Sequence, residues 1–526
     1  ESQRRLYDEA QTCANRFREY CLTHNLLDFS LQVEVFMAHL WTLPLCRDYL
    51  QKTYTHLFVD NVEEDTPVAH DLLREWLPHC RSALLIYDQG AGLRRFLGAD
   101  PELAHTLVDH CDQKMVFTES YVTSPDLQAL GAHLAGSLNR PAPSEPASGD
   151  VRAVLAYEHH RYHPQVLDWV AAEIDGLVHQ QGVSPGEIVV LAPFLSDSLR
   201  FSLTSRLKER EVPVRSHRPS RALREEPATR CLLTLAAIAH PGWELCPSRF
   251  DVAYALMQAI EGMDLVRAHL LANISYRTKD RQPALGSFDQ IVPDMKERLT
   301  YRLGERYQGL RAWINEYRAG PPAELDHFLS RLFGEVLSQA GYGFHGHYDR
   351  GAVAANLIES VQKFRWVTGG QAAQEDRSLG QEYVEMVQDG VVAAQYIHSW
   401  QLQPEDAVLL APAHTFLMGN RPVDCQFWLD VGGAGWWERL YQPLTHPYVL
   451  SRHWPEAAVW GDEDEFEVRQ DTMNRLIQGL IRRCRRRVYL GLSDWGESGY
   501  EQQGPLLQAI DRVLRRLPVE PEPSHV

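Results

Sequence analysis

The sequence has little that would hold a metal, a disulfide framework or a membrane. Its nine cysteines, among them Cys13, Cys21, Cys46, Cys80, Cys111 and Cys484, form no C-x-x-C pair and no recurring spacing. That argues against a zinc module or a disulfide scaffold and leaves buried free thiols as the expectation. No run approaches the ~18 apolar residues of a membrane helix. Residues 1–30 are charged and polar without a signal-peptide pattern, so the reading is cytoplasmic with no membrane partner. Basic residues are scarce, 52 against 70 acidic, for a formal charge of −18. Any nucleic-acid contact must then come from a local basic groove rather than from a generally basic surface. There is no internal repeat. No phosphate-cradling G-x-x-x-x-G-K-[ST] loop occurs, since Thr368-Gly369-Gly370 and Gly432-Gly433 lack the lysine and the following helix signal.

What is present is an ordinary globular composition, 44% hydrophobic and 23% charged, over 526 residues. That length divides into roughly two to four domains. Short apolar runs alternate with helical stretches and predict an α/β fold with parallel sheets. The predicted strands are His56 to Asp60, Ala83 to Tyr87, Val151 to Tyr157, Ile188 to Ala192, Ala407 to Ala411, Gln426 to Val431 and Val488 to Leu492. The Pro- and Ser-rich stretch Ser137 to Asp150 reads as a domain boundary, and Val519 to Val526 as a frayed tail. From about Pro247 to Tyr396 strand signals fade. Leu303, Tyr307, Leu310, Trp313, Ile314 and Tyr317 fall on one helical face there, as core residues do. His159, His160 and His163, and His345 with His347, lack carboxylate or thiol partners at metal spacing and read as surface histidines.

Five segments carry more specific information. VDNVEEDTP (Val59 to Pro67) ends a predicted strand in an aspartate, the position where α/β nucleotide enzymes hold a magnesium ligand followed by a carboxylate that orients water. LLDFS (Leu26 to Ser30) precedes it. Asp88-Gln89 with RFLGADP (Arg95 to Pro101), and SYVTSP (Ser120 to Pro125), follow it. RLIQGLIRRCRRRVYL (Arg475 to Leu490) lies near the C-terminus. In order and spacing these resemble the UvrD, Rep and PcrA type of superfamily 1 DNA helicases, whose patterns are DF-D, DExQDTNP, GDxDQSIYxFRGADP, NYRS and RLLYVALTRAxxRLYL. The resemblance covers nearly the whole chain and implies RecA-like, P-loop NTPase-type parallel sheets. Residues 1–138 would be the C-terminal part of a first motor domain and 139–150 a linker. Residues 151–246 and 397–517 would form a second motor domain interrupted by a helical insertion at 247–396, with a tail at 518–526. In the family the phosphate loop lies upstream of the DF-D helix, so the natural protein is expected to extend further at its N-terminus.

Residue by residue, the resemblance implies a damaged motor. Asp60 keeps the magnesium-binding position, but Asn61 replaces the general-base glutamate and cannot accept a proton. Glu63 and Glu64 replace the glutamine and second aspartate. Val122 replaces an arginine that binds the terminal phosphate, while Arg483 keeps the place of the other cationic clamp. Gln89 remains at the nucleotide site, Leu97 replaces an arginine, and the K-G-L-E expected after His414 is lost. No catalytic set is intact. Asp60, Asn61 and Arg483 are its remnants, and Asp60, Gln89 and Arg483 the remnants of an ATP and Mg2+ site. Phe96, Tyr121 and His414 are the implied DNA contacts. Phe96 would stack on a base, a contact worth roughly 1 to 3 kcal/mol, or else be plain core.

Arg482, Arg483, Arg485, Arg486 and Arg487 form the strongest basic run, read as part phosphate-facing and part acid-paired helix end. The aromatic stretch from Gln426 to Trp454 is not covered by the helicase pattern. Trp436, Trp437 and Tyr441 with Arg439 suit base stacking, a protein partner or a buried corner equally. The function expected is a degenerate helicase-like factor in DNA repair or recombination that binds single-stranded or partly duplex DNA or scaffolds a nuclease or repair protein. The alternatives are an active ATP- and Mg2+-dependent 3′-to-5′ helicase whose phosphate loop lies upstream, with water oriented by Glu63 or Glu64, and a protein-interaction module that does not bind DNA.

Overall fold

The computed structural model describes residues 2–140, 149–216, 223–368, 378–392, 406–437, 442–455 and 457–516. Most of the predicted linker, Gly369-Gly370, Arg439, Tyr441 and the predicted tail lie outside them. The chain forms two compact units, residues 1–217 with 404–526 and residues 218–403. In chain order the strands are β1 (His56–Val59), β2 (Ser82–Leu85), β3 (Leu155–Tyr162), β4 (Ile188–Ala192), β5 (Val214–Ser216), β6 (Tyr276–Lys279), β7 (Gln282–Leu285), β8 (Val408–Pro412), β9 (Val423–Trp428) and β10 (Cys484–Trp495). Among the described residues no helix is long and apolar enough to cross a membrane.

The first unit is α/β. Its main sheet is six-stranded and wholly parallel, in the order β3-β10-β9-β4-β8-β5. β4, at its middle, is buried at every residue. Alternation along the strand splits its side chains between two cores. Val189 and Leu191 join Leu130, Ile477, Leu480 and Ile510 from the helices Pro125–Ser137, Asp462–Arg482 and Pro505–Arg516. Ile188 and Val190 join Val166, Val170, Leu199 and Phe427 on the other face. β1 and β2 pair in parallel as a separate two-stranded sheet. Parallel strands are usually covered on both faces, yet here Phe58 is 79% exposed, and Leu84 and Ile86 are also exposed.

Several expectations are corrected. Val151 to Val154 is a helical turn, and strand pairing begins only at Leu155. The helix Pro125–Ser137, read as part of the first lobe, packs in the core of the six-stranded sheet, because a break in composition does not say which sheet a helix covers. Arg485, Arg486 and Arg487 open β10 rather than end a helix. His163 is buried at the start of the helix His163–Asp175, while His159 and His160 lie on β3 itself. Of the nine free cysteines only Cys21, Cys231, Cys425 and Cys484 are buried, and Cys13, Cys111 and Cys246 are exposed.

The second unit is helical. It begins at Arg218 rather than at the predicted 247, since the helix Pro227–Ala239 is buried on nearly all sides in its core. Leu303, Tyr307, Leu310, Ile314 and Tyr317 of the helix Tyr301–Ala319 line that core as expected, and Trp313 packs at its margin. The hairpin β6–β7 was not foreseen in this region.

Gly491 in β10 has no room for a side chain, because a Cβ there would lie 2.5 Å from Val166 Cγ1 and 3.0 Å from Leu429 Cδ2. Gly491→Ala is therefore expected to cost about 1 to 3 kcal/mol by overpacking, read as a lowered denaturant midpoint.

Candidate functional site

The carboxyl end of β1 is where the sequence concentrates its candidate chemistry. Asp60 is exposed and spends one oxygen on the N–H of Asn61 (2.9 Å). Asn61 is exposed in the left-handed region at φ 55°, a conformation that asparagine tolerates better than most residues. The chain then makes a short 3-10 turn, Val62–Glu64. Its two glutamates have different fates.

Glu64 Oε1 accepts the backbone N–H groups of Gly92 (2.9 Å) and Leu93 (2.8 Å), and its Oε2 accepts that of Arg94 (2.7 Å). Three converging amides form a nest that suits a carboxylate and engages both of its oxygens. Gly92 is required in that loop, since it sits at φ 89° and a Cβ would lie 2.3 Å from Pro101. Glu63 is buried, 1% exposed, and its Oε2 accepts the N–H of Asp88 (3.1 Å). Burial pushes its carboxyl up to about 7.

The cations come from the helix Asp462–Arg482 and the residue after it. Arg483 is turned onto Asn420, bonding its Oδ1 through Nε (3.1 Å) and Nη2 (2.8 Å), and gives Nη1 to the carbonyl of Gly479 (3.0 Å). Arg482 instead reaches across to the β2 loop, bonding Asp88 Oδ1 (3.2 Å) and the carbonyl of Gln89 (3.0 Å). Arg485 is paired with Glu187 and with Asp424 (3.0 Å), so that part of the basic run is acid-paired. Val122 follows Ser120, whose hydroxyl accepts its N–H, and offers no cation. This donor set does not fit a nucleotide and its magnesium. Arg483, which the resemblance assigns to a phosphate, is bound to Asn420, Glu64 has both oxygens engaged by amides, and Asp60 is an exposed carboxylate.

The loop held by Glu64 leads into the turn Arg95–Leu97 and the RFLGADP segment. Phe96 is 38% exposed, which removes the plain-core reading. It lies at a pocket of about 740 Å³ whose walls include Arg95, Tyr448, Trp454, Trp460 and Val468. Trp460 is the hub of the aromatic wall, with ring centroids 4.4 Å from His446, 5.2 Å from Trp454 and 5.8 Å from Tyr448. Arg95 lies over the Tyr448 ring at 5.6 Å.

Residues 442–455 are fastened to residues 71–100 at three points. Gln442 Nε2 bonds the carbonyl of Phe96 (3.2 Å), Arg452 clasps Asp71 through both nitrogens (3.0 and 2.6 Å), and His453 meets Asp100 (3.0 Å). The bonds from Arg452 hold the Asp71 carboxyl below its usual range. Asp100 also caps the helix Pro101–His105 by accepting the N–H of Leu103. Part of the aromatic stretch thus has a place, while Trp436 is a buried corner, its Nε1 on the carbonyl of Leu429 (3.1 Å).

The structure does not bring every expected residue to one place. Tyr121, 89% exposed, and His414, exposed on the first turn after β8, stand outside the pocket wall. Gln89 is exposed beside Arg482. Sequence reading missed Tyr448, Trp454, Trp460, Arg452 and Asp71. Aromatic density was the only signal, and the partner loop lies 346 residues away at the Gln442–Phe96 contact. Among the described residues no group of three or more His, Cys, Asp or Glu side chains could hold a metal ion. No family model matches the chain, and no curated protein matches it.

Two predictions follow from the paired glutamates. Glu64→Ala strips three amides of a charged acceptor and is expected to cost about 3 kcal/mol, with hydrogen exchange accelerated at Gly92, Leu93 and Arg94. For Glu63, between the ordinary value of 4.5 and about 7 the native state keeps a proton that the unfolded chain has released. Its contribution to stability is therefore present at low pH and lost as pH rises through about 7. Glu63→Gln should match the wild type near pH 4 and exceed it by about 1 to 3 kcal/mol above pH 8 in denaturant unfolding.

Proposed function

We propose that this chain is a degenerate UvrD-like protein of DNA repair or recombination. In this reading its RecA-like lobes bind single-stranded or partly duplex DNA, or scaffold a nuclease or repair protein, without turning over ATP. The observation that carries the reading is the state of the β1 edge. By the resemblance Asn61 stands where the family has its base, Glu64 has both oxygens engaged by amides, and Arg483 is bonded to Asn420. The parallel order of the six-stranded sheet is compatible with a RecA-like lobe. The DNA-binding half is supported by Phe96, exposed beside a pocket walled by aromatic rings, which is the chemistry that stacks on unpaired bases.

A second reading, an active ATP-dependent 3′-to-5′ helicase, is favoured by one observation. Glu63 is a carboxyl at the same edge whose affinity for protons lies near neutrality, the range suited to proton acceptance.

ATPase activity with and without single-stranded DNA separates the two. The expected result is no DNA-stimulated turnover above background. Robust turnover abolished by Asp60→Ala and by Glu63→Gln would overturn the degenerate reading. In the same samples Phe96→Ala should weaken single-stranded DNA binding by roughly 5- to 150-fold, the loss of one stacked base. A wild-type chain that binds no labelled DNA at low salt would point to the protein-interaction module instead.

A further inference from the structure

The helical unit carries a basic hairpin that nothing above uses. β6 and β7 are joined by a two-residue turn, Asp280-Arg281, with both residues at positive φ (50° and 57°). That is the pattern of a type I′ turn, whose central positions favour Asn or Gly. An arginine there costs roughly 1 to 2 kcal/mol relative to glycine, so the tip carries a charge where an uncharged residue would be cheaper. Strain of this kind at an exposed tip calls for a functional reason.

Alternation sorts the hairpin's two faces. Tyr276 pairs with Leu285, and Thr278 with Pro283. Tyr276, Pro283 and Leu285 are buried, while Thr278, on the same face nearer the tip, is exposed. Arg277 and Lys279, paired with Ala284 and Gln282, therefore lie on the outward face, and both are exposed. Neither makes an ion pair among the described residues.

The β7 edge is lined by two more cations from the helix Tyr301–Ala319. Arg311 Nε bonds the carbonyl of Leu285 (2.9 Å), and Arg318 Nη1 bonds that of Pro283 (3.3 Å). Arg281 at the tip meets Glu244 at 3.4 Å, both side chains largely exposed, an arrangement worth little in water. Five cations thus gather around one hairpin, with Asp280, Glu244 and, near Tyr276, Asp251 as the acids beside it. In a chain of formal charge −18 this is a local concentration and not background.

We propose that the outward face of the β6–β7 hairpin is a contact for the phosphate backbone of nucleic acid. Residues two apart along a strand lie about 6.7 Å from one another on the same face, so Arg277 and Lys279 present two neighbouring cations to one backbone. Contacts of this type position a nucleic acid without reading its sequence. The proposal rests on the DNA-binding reading and adds to it a site on the helical unit, remote in sequence from Phe96.

The test uses the full chain with labelled single-stranded and partly duplex DNA, titrated over a range of salt. The double variant Arg277→Ala with Lys279→Ala is expected to reduce the slope of log K against log salt by about 1.4 on single strands and about 1.8 on duplex, with affinity at low salt falling by about tenfold or more. The charge-conserving pair Arg277→Lys with Lys279→Arg should keep the wild-type slope, and Phe96→Ala should weaken binding with the slope intact. A Lys279→Cys variant bearing a photo-crosslinker should attach to the DNA, which supplies an independent readout if the double variant fails to fold.

DNA binding that survives the double variant with an unchanged slope, or a crosslinker that captures no DNA while binding persists, overturns the hairpin contact and leaves the Phe96 reading standing. A wild-type chain that binds no DNA overturns both. One that binds poly-glutamate through these cations in place of DNA overturns the nucleic-acid assignment.

Discussion

Glu64 holds its surroundings by a single physical device. A carboxylate at the end of a short turn accepts three backbone N–H groups of a loop nearly thirty residues further along the chain. Those amides would otherwise be turned away from any regular partner, and buried or half-buried donors need one. With them satisfied, the loop passes Gly92, makes the turn Arg95–Leu97 and delivers Asp100 to cap the next helix. The exposure of Phe96, the contact of Arg482 with Asp88 and Gln89, and the pocket beside Arg95 all lie downstream of that anchoring.

A second constraint works across the first unit. The Arg475 guanidinium bonds the carbonyl of Ala91, Gln478 bonds that of Gly131 (2.8 Å), and Thr123 donates to the carbonyl of Arg482 (3.1 Å). The Arg475–Ala91 bond and the Arg452–Asp71 clasp fasten the segments flanking β2 to residues 442–483, while the Gln478–Gly131 bond lies within the core of the six-stranded sheet. The arginine that resemblance assigned to phosphate, Arg483, is bonded to the neutral Asn420, and the adjacent Arg482 instead meets Asp88 and Gln89.

Much of the architecture was legible in the sequence because hydrophobic periodicity is local. Ile188 to Ala192 was read at its observed boundaries, and the face of Leu303, Tyr307, Leu310, Ile314 and Tyr317 turned inward as its spacing implied. The errors differ in origin. Val151 to Val154 coils before its strand, the helix Pro125–Ser137 joins the other core, and β6–β7 forms where strand signals had faded. For the helix Pro125–Ser137 partners distant in the chain decided the core it joins, whereas β6–β7 is a local hairpin whose short strands lie between helices.

The candidate site divides in the same way. Asn61 in place of a carboxylate, the scarcity of cations and the density of aromatics between 426 and 454 were properties of residue identity, and the sequence alone determined them. Whether Glu64 was free or saturated, which of Arg482 and Arg483 faced Asp88, whether Phe96 was core or surface, and which aromatics walled its pocket were decided only by tertiary structure. The physical reason is that acceptor occupancy, exposure and burial-driven proton affinity depend on atoms brought together from segments up to several hundred residues apart, and no local pattern encodes them.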